Sequence, residues 1–171
     1  MEQALSLEPD EPTYLRNLAG IMLVHRKEAL LHFGLANERQ LFVHTAGLYR
    51  RAVAAQPDDF LLLSTFAQSL YRLDPFPYEE AQATWASALK LAGTVTEQEG
   101  VRIHLARVHI RAGRFEPARE ELNAVQSAEL KDTKLQLIAE MPRAMRPVES
   151  AEPAKPARLL FNFSTAPPPT R

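Results

Sequence analysis

Apolar positions recur along the chain at helical spacing, in blocks separated by short polar or Gly/Pro-containing breaks. Leu15, Leu18, Ala19, Met22 and Leu23 form the first block, and Phe42, Ala46, Tyr49, Ala52 and Val53 the second. Leu62, Leu63, Phe66, Ala67 and Leu70 follow, then Ala81, Trp85 and Ala88. A fifth block surrounds Leu105-Ala106, and Leu130, Leu135, Ile138 and Met141 make a last, less regular one. Steps of three and four put each set on one face of a helix, so every block predicts an amphipathic helix.

The breaks supply start and stop signals. Asp10 can cap the first helix and Pro12 suits its first turn. That helix reads as long, with Gly34 as its stop and Asn37, followed by Gln40, as the restart. Pro57 closes the second block, and Asp58 or Asp59 caps the next helix. Thr96 and Glu99 have capping-box spacing, and Arg107 and Arg111 near the end of the helix that follows suit its dipole. Pro117 sits where another helix can begin. Ala106 and Ala118, twelve residues apart, flank a turn built on Gly113 with Phe115 beyond it. Two small residues so placed predict a helical hairpin whose arms cross closely.

The Leu105-Ala106 pair, the Gly113-x-Phe115 turn and Ala118 followed four residues later by Leu122 together resemble one unit of the tetratricopeptide repeat family. Ala81, Trp85 and Ala88 fit the same pattern. The pair reappears upstream as Phe66-Ala67 and Leu18-Ala19, at separations of 39 and 48 residues. The family period is about 34, so these units carry insertions; Asp74-Pro75-Phe76-Pro77 enlarges one turn. The resemblance implies an all-α fold, a right-handed superhelical stack of antiparallel helix pairs. The repeat domain is expected over 1–141, with a partial unit at 2–9, pairs at 11–57, 58–93 and 96–127, and a capping helix at 129–141. Ala4-Leu5-Ser6-Leu7-Glu8-Pro9 reads as the end of a second helix with no first helix before it, leaving an apolar face for a partner.

From Pro142 the composition changes. Prolines at 142, 147, 153, 156 and 167–169 exclude a long helix, so 142–171 is expected to be a disordered or extended tail. Within it, Leu159, Leu160, Phe161 and Phe163 form an apolar cluster that a solvated linker does not need, and it is expected to dock in the chain's own groove or on another protein. The tail is mildly basic in a chain with 20 Lys and Arg, 21 Asp and Glu and net charge −1. That balance argues against nucleic acid as the main partner. There is no cysteine, hence no disulfide or thiolate metal site. The longest apolar run, Leu18 to Val24, is too short to span a bilayer, and nothing resembles a targeting segment, so membrane insertion is not expected and the cytoplasm is the default.

Candidate chemistry is sparse. His104 and His109 are five apart and His25 and His32 seven apart, whereas chelation from one helix wants three or four, so neither metal nor cofactor is expected. No nucleophile elbow, phosphate-cradling glycine loop or catalytic cysteine is present, and no enzyme activity is expected. Glu79-Glu80 and Glu120-Glu121 read as solvated helix faces, and Trp85 and Tyr49 as packing residues rather than base-stacking platforms. What remains is implied by the resemblance: in the family, the first helices of successive units line a concave groove. Carried over, the groove positions are Arg16, Gly20, Leu23 and Val24, then Ser64, Gln68, Tyr71 and Arg72, then Ile103, Arg107 and Arg111. Family members that grip the C-terminal carboxylate of heat-shock chaperones present Lys and Asn there, and this chain has neither. Arg107 and Arg111 either pair with an acidic or C-terminal carboxylate of a ligand, or are solvated or paired with Glu99 and Glu116. The function this implies is a non-enzymatic scaffold or adaptor holding a protein or peptide in its groove or on its N-terminal face. Alternatives are the substrate-selecting repeat region of a larger enzyme such as a glycosyltransferase, a bacterial secretion or assembly chaperone, and, more remotely, an RNA-binding helical repeat.

Overall fold

In the computed structural model, residues 11–142 are described. Over them the fold is all-α: α1 Pro12–Val24, α2 Arg26–His32, α3 Glu38–Ala55, α4 Phe60–Leu70, α5 Tyr78–Leu91, α6 Val95–Arg111, α7 Phe115–Asn123 and α8 Lys131–Glu140, with a 3-10 turn at Ala128–Leu130. The expectations for 1–10 and for the tail, Leu159 to Phe163 included, lie outside the described residues.

The helices begin where polar side chains satisfy their first amides. Asn37 Oδ1 accepts from the Gln40 amide while Gln40 Oε1 takes the Ala36 amide, and Asp59, not Asp58, accepts from Leu62. For α1 the cap is Glu11, whose carboxylate accepts from the Tyr14 amide, with Pro12 at the first helical position. The capping box before α6 is Thr94 and Glu97, not Thr96 and Glu99. Both pairs have the right spacing, but the chain leaves Ala92 extended, and it is Thr94 that meets the helix while Thr96 is exposed in its first turn. Gly34 and Gly113, with φ of 62° and 71°, end α2 and α6. At each, the next residue donates back to the carbonyl five before it, Leu35 to Leu30 and Arg114 to His109, both at 2.8 Å.

Three expected boundaries move. The long first helix is divided at His25, where ψ of 56° interrupts the ladder and starts α2. Pro117 lies at the third position of α7 rather than its first, and α8 follows a 3-10 turn instead of running unbroken from 129 to 141.

Helices pack mainly on elements close in sequence: α1 on α3 across the short α2, α3 on α4, α4 on α5, α5 on α6 and α6 on α7, with α8 returning to α6. Small residues allow the approach, since Ala19, Ala46, Ala67, Ala81, Ala106 and Ala118 are fully buried. Two apolar clusters result. The first runs from Leu15 to Val108 and contains Trp85; the second holds Ile103, Ala106, Ala118, Leu122, Val125, Leu137, Ile138 and Met141. Helix α6 serves both, giving Val101, Leu105 and Val108 to one and Ile103 and Ala106 to the other. Buried hydroxyls on these helices bond back to carbonyls of the preceding turn, Thr45 to Phe42, Ser69 to Phe66 and Thr84 to Glu80.

Candidate functional site

Helices α1, α4 and α6 each present residues to one face of the molecule, with Tyr49 of α3 between them. A cavity of about 290 Å³ is lined by Leu23 from α1, Tyr49, Thr65, Gln68 and Ser69 from α4, Tyr71 and Arg72 just after it, and His104 and Arg107 from α6. A second, of about 470 Å³, is lined by Arg16, Asn17, Gly20, Ile21, Val24, His25 and again Tyr49. Tyr49, only 3 % exposed, is the shared wall. Of the expected positions, Gln68, Tyr71, Arg72 and Arg107 therefore share one cavity with Leu23, and Arg16, Gly20 and Val24 line the adjoining one.

Three positions do not behave as the resemblance implies. Ile103 is buried in the second cluster, because α6 turns that face toward α7. Ser64 Oγ is buried without a hydrogen-bond partner and Ser64 does not line the cavity. Arg111 is committed internally: Nη1 donates to the Tyr71 carbonyl at 2.9 Å, and the guanidinium lies 4.2 Å from the centre of the Phe76 ring. Neither expected acidic partner serves α6 there. Glu116 pairs with Arg119, and Glu99, 7 % exposed, accepts from the amides of Gln126 and Ser127. Hydrogen bonding from Ser127 and from the Gln126 amide holds the Glu99 carboxyl below its ordinary range.

The floor of the first cavity is an aromatic stack. The His104 imidazole lies flat on Trp85, with centroids 4.2 Å apart and planes 5° from parallel. Tyr71 donates from its hydroxyl to the His104 carbonyl at 3.2 Å, and its ring stacks on Phe76. Burial, aided by the Arg107 charge, pushes the His104 imidazole down to about 4, so the ring is neutral at pH 7. Burial also pushes the Tyr71 hydroxyl up to about 12 and raises Tyr49, against the pull of Arg16 and Arg72. A parallel contact lies outside the cavity, where Tyr78 and the buried His109 meet at 3.0 Å. His104 is absent from the groove positions that the resemblance implies; its place one turn before Arg107 is the signal that puts it there.

Among the described residues no three His, Asp or Glu side chains converge as a metal-ligand group, and no helix is long and apolar enough to cross a membrane. Glu79 and Glu80, expected as solvated, reach Arg114 and Arg50, and Glu121 bonds Arg102 at 2.8 Å. The face can therefore offer apolar surface, hydroxyls, the Gln68 amide and guanidinium groups. Neither a family model, nor a curated protein, nor a solved structure matches the chain.

Proposed function

We propose that this protein is a non-enzymatic interaction scaffold, a right-handed tetratricopeptide-like stack of helix pairs that holds a protein or peptide along the face formed by α1, α4 and α6. The observation that supports it most is the shared lining of one cavity by three helices distant in sequence, through Leu23, Gln68 and Arg107, with Tyr49 joining it to the next cavity. The neighbour-on-neighbour packing of successive pairs fits the same reading. An elongated groove with mixed apolar and hydrogen-bonding walls suits an extended or helical peptide.

Native co-purification tests this. Gln68 is exposed, so Gln68→Trp fills the cavity from a position that packing does not depend on. The variant is expected to keep its melting temperature and lose the partners that the unaltered chain retains; an unchanged partner set removes the groove from recognition. A second preparation lacking the residues after Pro147 separates the groove from the tail. Loss of the same partners there assigns recognition to the apolar cluster at 159–163 instead.

A further inference from the structure

Resting on the groove reading, we infer that the ligand is an acidic peptide segment: its side-chain carboxylates seat on Arg16, Arg72 and Arg107, and an apolar side chain beside them enters the Ile21–Val24 end. The distribution of arginine partners carries this. Away from the groove, five arginines are matched to glutamates: Arg26 to Glu38, Arg50 to Glu80, Arg102 to Glu121, Arg114 to Glu79 and Arg119 to Glu116. Arg72 and Arg107 have no such ion pair among the described residues, and Arg16 has none either, although its charge acts on the Glu11 carboxylate at the start of its own helix. Neither cavity has an Asp or Glu in its lining, and Arg72 lies over the Phe42 ring, 5.5 Å away. In a chain of 20 cationic and 21 anionic side chains, Arg72 and Arg107 without an ion pair, with Arg16 along the same face, form a local positive field on a nearly neutral molecule.

A carboxylate answers each guanidinium with two parallel hydrogen bonds, and the half-buried setting of Arg16 and Arg107 strengthens them relative to open water. Apolar surface is ready beside them: Ile21 is 44 % and Val24 76 % exposed. Two other polymers fit less well. RNA would want open stacking platforms, but Tyr49 and Trp85 are 3 % and 1 % exposed. Residues 143–171 carry five Lys and Arg against two Glu, the wrong sign for this groove.

The test uses the full chain, isotope-labelled, at low ionic strength, with three probes: a short Glu/Leu peptide blocked at both ends, the same peptide with Gln for Glu, and an oligouridylate. The acidic peptide is expected to shift the amides of Gln68, Arg72 and Arg107 and to raise the His104 titration midpoint from about 4, since a nearby carboxylate favours the imidazolium. Arg72→Gln and Arg107→Gln should each weaken binding about tenfold or more, and Arg114→Gln, remote and paired to Glu79, should not. Melting curves of the variants check that the fold is intact. Equal binding of the Gln peptide at the same amides overturns the acidic inference and leaves the groove standing. Failure of both peptides to move those amides overturns both readings. Oligouridylate displacing the acidic peptide assigns the arginines to RNA and overturns the inference as well.

Discussion

At the scale of single residues, the decisive feature is how little room surrounds the small side chains between helices. Ala106 and Ala118 have no exposed surface in the contact between α6 and α7. Ala106→Glu or Ala118→Glu forces an unpaired carboxylate into that contact, which costs on the order of 3–5 kcal/mol; urea denaturation showing wild-type stability for either would mean the two helices do not meet there. His104 makes a second prediction, and its sign follows from which state takes up protons. The unfolded imidazole titrates near 6.5 and the folded one near 4 because burial, then Arg107, disfavours the charged form. Between these values the unfolded chain binds more protons, so stability falls as pH falls from 6.5 to 4, by no more than about 1.4 kcal/mol per pH unit from this group. No carboxylate offsets the charge: around the ring stand Trp85 of α5, Tyr71 at the end of α4, and Arg107 on α6 itself. His104→Phe keeps a flat ring on Trp85 and removes the proton. The difference between wild type and variant in unfolding free energy should therefore change across roughly pH 6.5 to 4, with the variant less acid-sensitive; parallel curves would mean that the imidazole is not held neutral. His109, also lowered by burial, keeps part of the slope in both proteins.

At the scale of helices, ends and interiors obey separate rules and can be tested separately. Thr94→Ala removes the side chain that accepts from the Glu97 amide and should cost about 1 kcal/mol, whereas Thr96→Ala, inside the first turn and exposed, should cost little. Equal losses from the two, measured by chemical denaturation, would contradict the capping box at 94 and 97. Glycine gives a matched contrast. Gly113 has φ of 71° and a Cβ added there would meet no atom within 4 Å, so Gly113→Ala costs only the backbone strain, about 1 kcal/mol. Gly100, inside α6 with equally open surroundings and no positive φ, should gain about 0.5–1 kcal/mol as alanine. These ends also show what the sequence could tell. Gly34, Gly113, Asn37 and Pro12 announce their roles because their conformational preferences are local. Thr94 and Thr96 each stand three residues before a glutamate, and only the path of the chain out of α5 chooses between them. The break at His25 has neither Gly nor Pro to mark it. Glu99 is legible as a helix-start acid but not as the acceptor for Gln126 and Ser127, a contact made across 27 and 28 residues. The cavity lining is legible at Gln68 and Arg107, which lie on well-marked helices, and at Arg72 just after one; the place of Arg111 is not, because its partner is a backbone carbonyl 40 residues away.

At the scale of the whole molecule, the question is whether two apolar clusters make one cooperative unit or two. Helix α6 is buried on two faces, so it cannot leave either cluster without damaging the other. The connector after α7 adds two ties to the second cluster: Glu99 holds the amides of Gln126 and Ser127, and Lys134 donates to the Val125 carbonyl at 2.9 Å. A linear array joined only by neighbour contacts would allow its end to open alone, but here α8 returns to α6, two helices back. Loosening the end therefore uncovers Ile103 and Ala106 on the helix whose opposite face supports Trp85 and its neighbours. The single tryptophan lies in the first cluster and Met141 in the second, which makes the coupling measurable. Met141→Ala, at a 2 % exposed position, should cost about 2–5 kcal/mol. If α6 couples the clusters, Trp85 fluorescence and far-ultraviolet circular dichroism will report the same lowered midpoint in urea. A fluorescence midpoint left at the wild-type value, with only the dichroism acquiring an early phase, would show that α8 and its contacts melt by themselves and that α6 holds its place with one face uncovered.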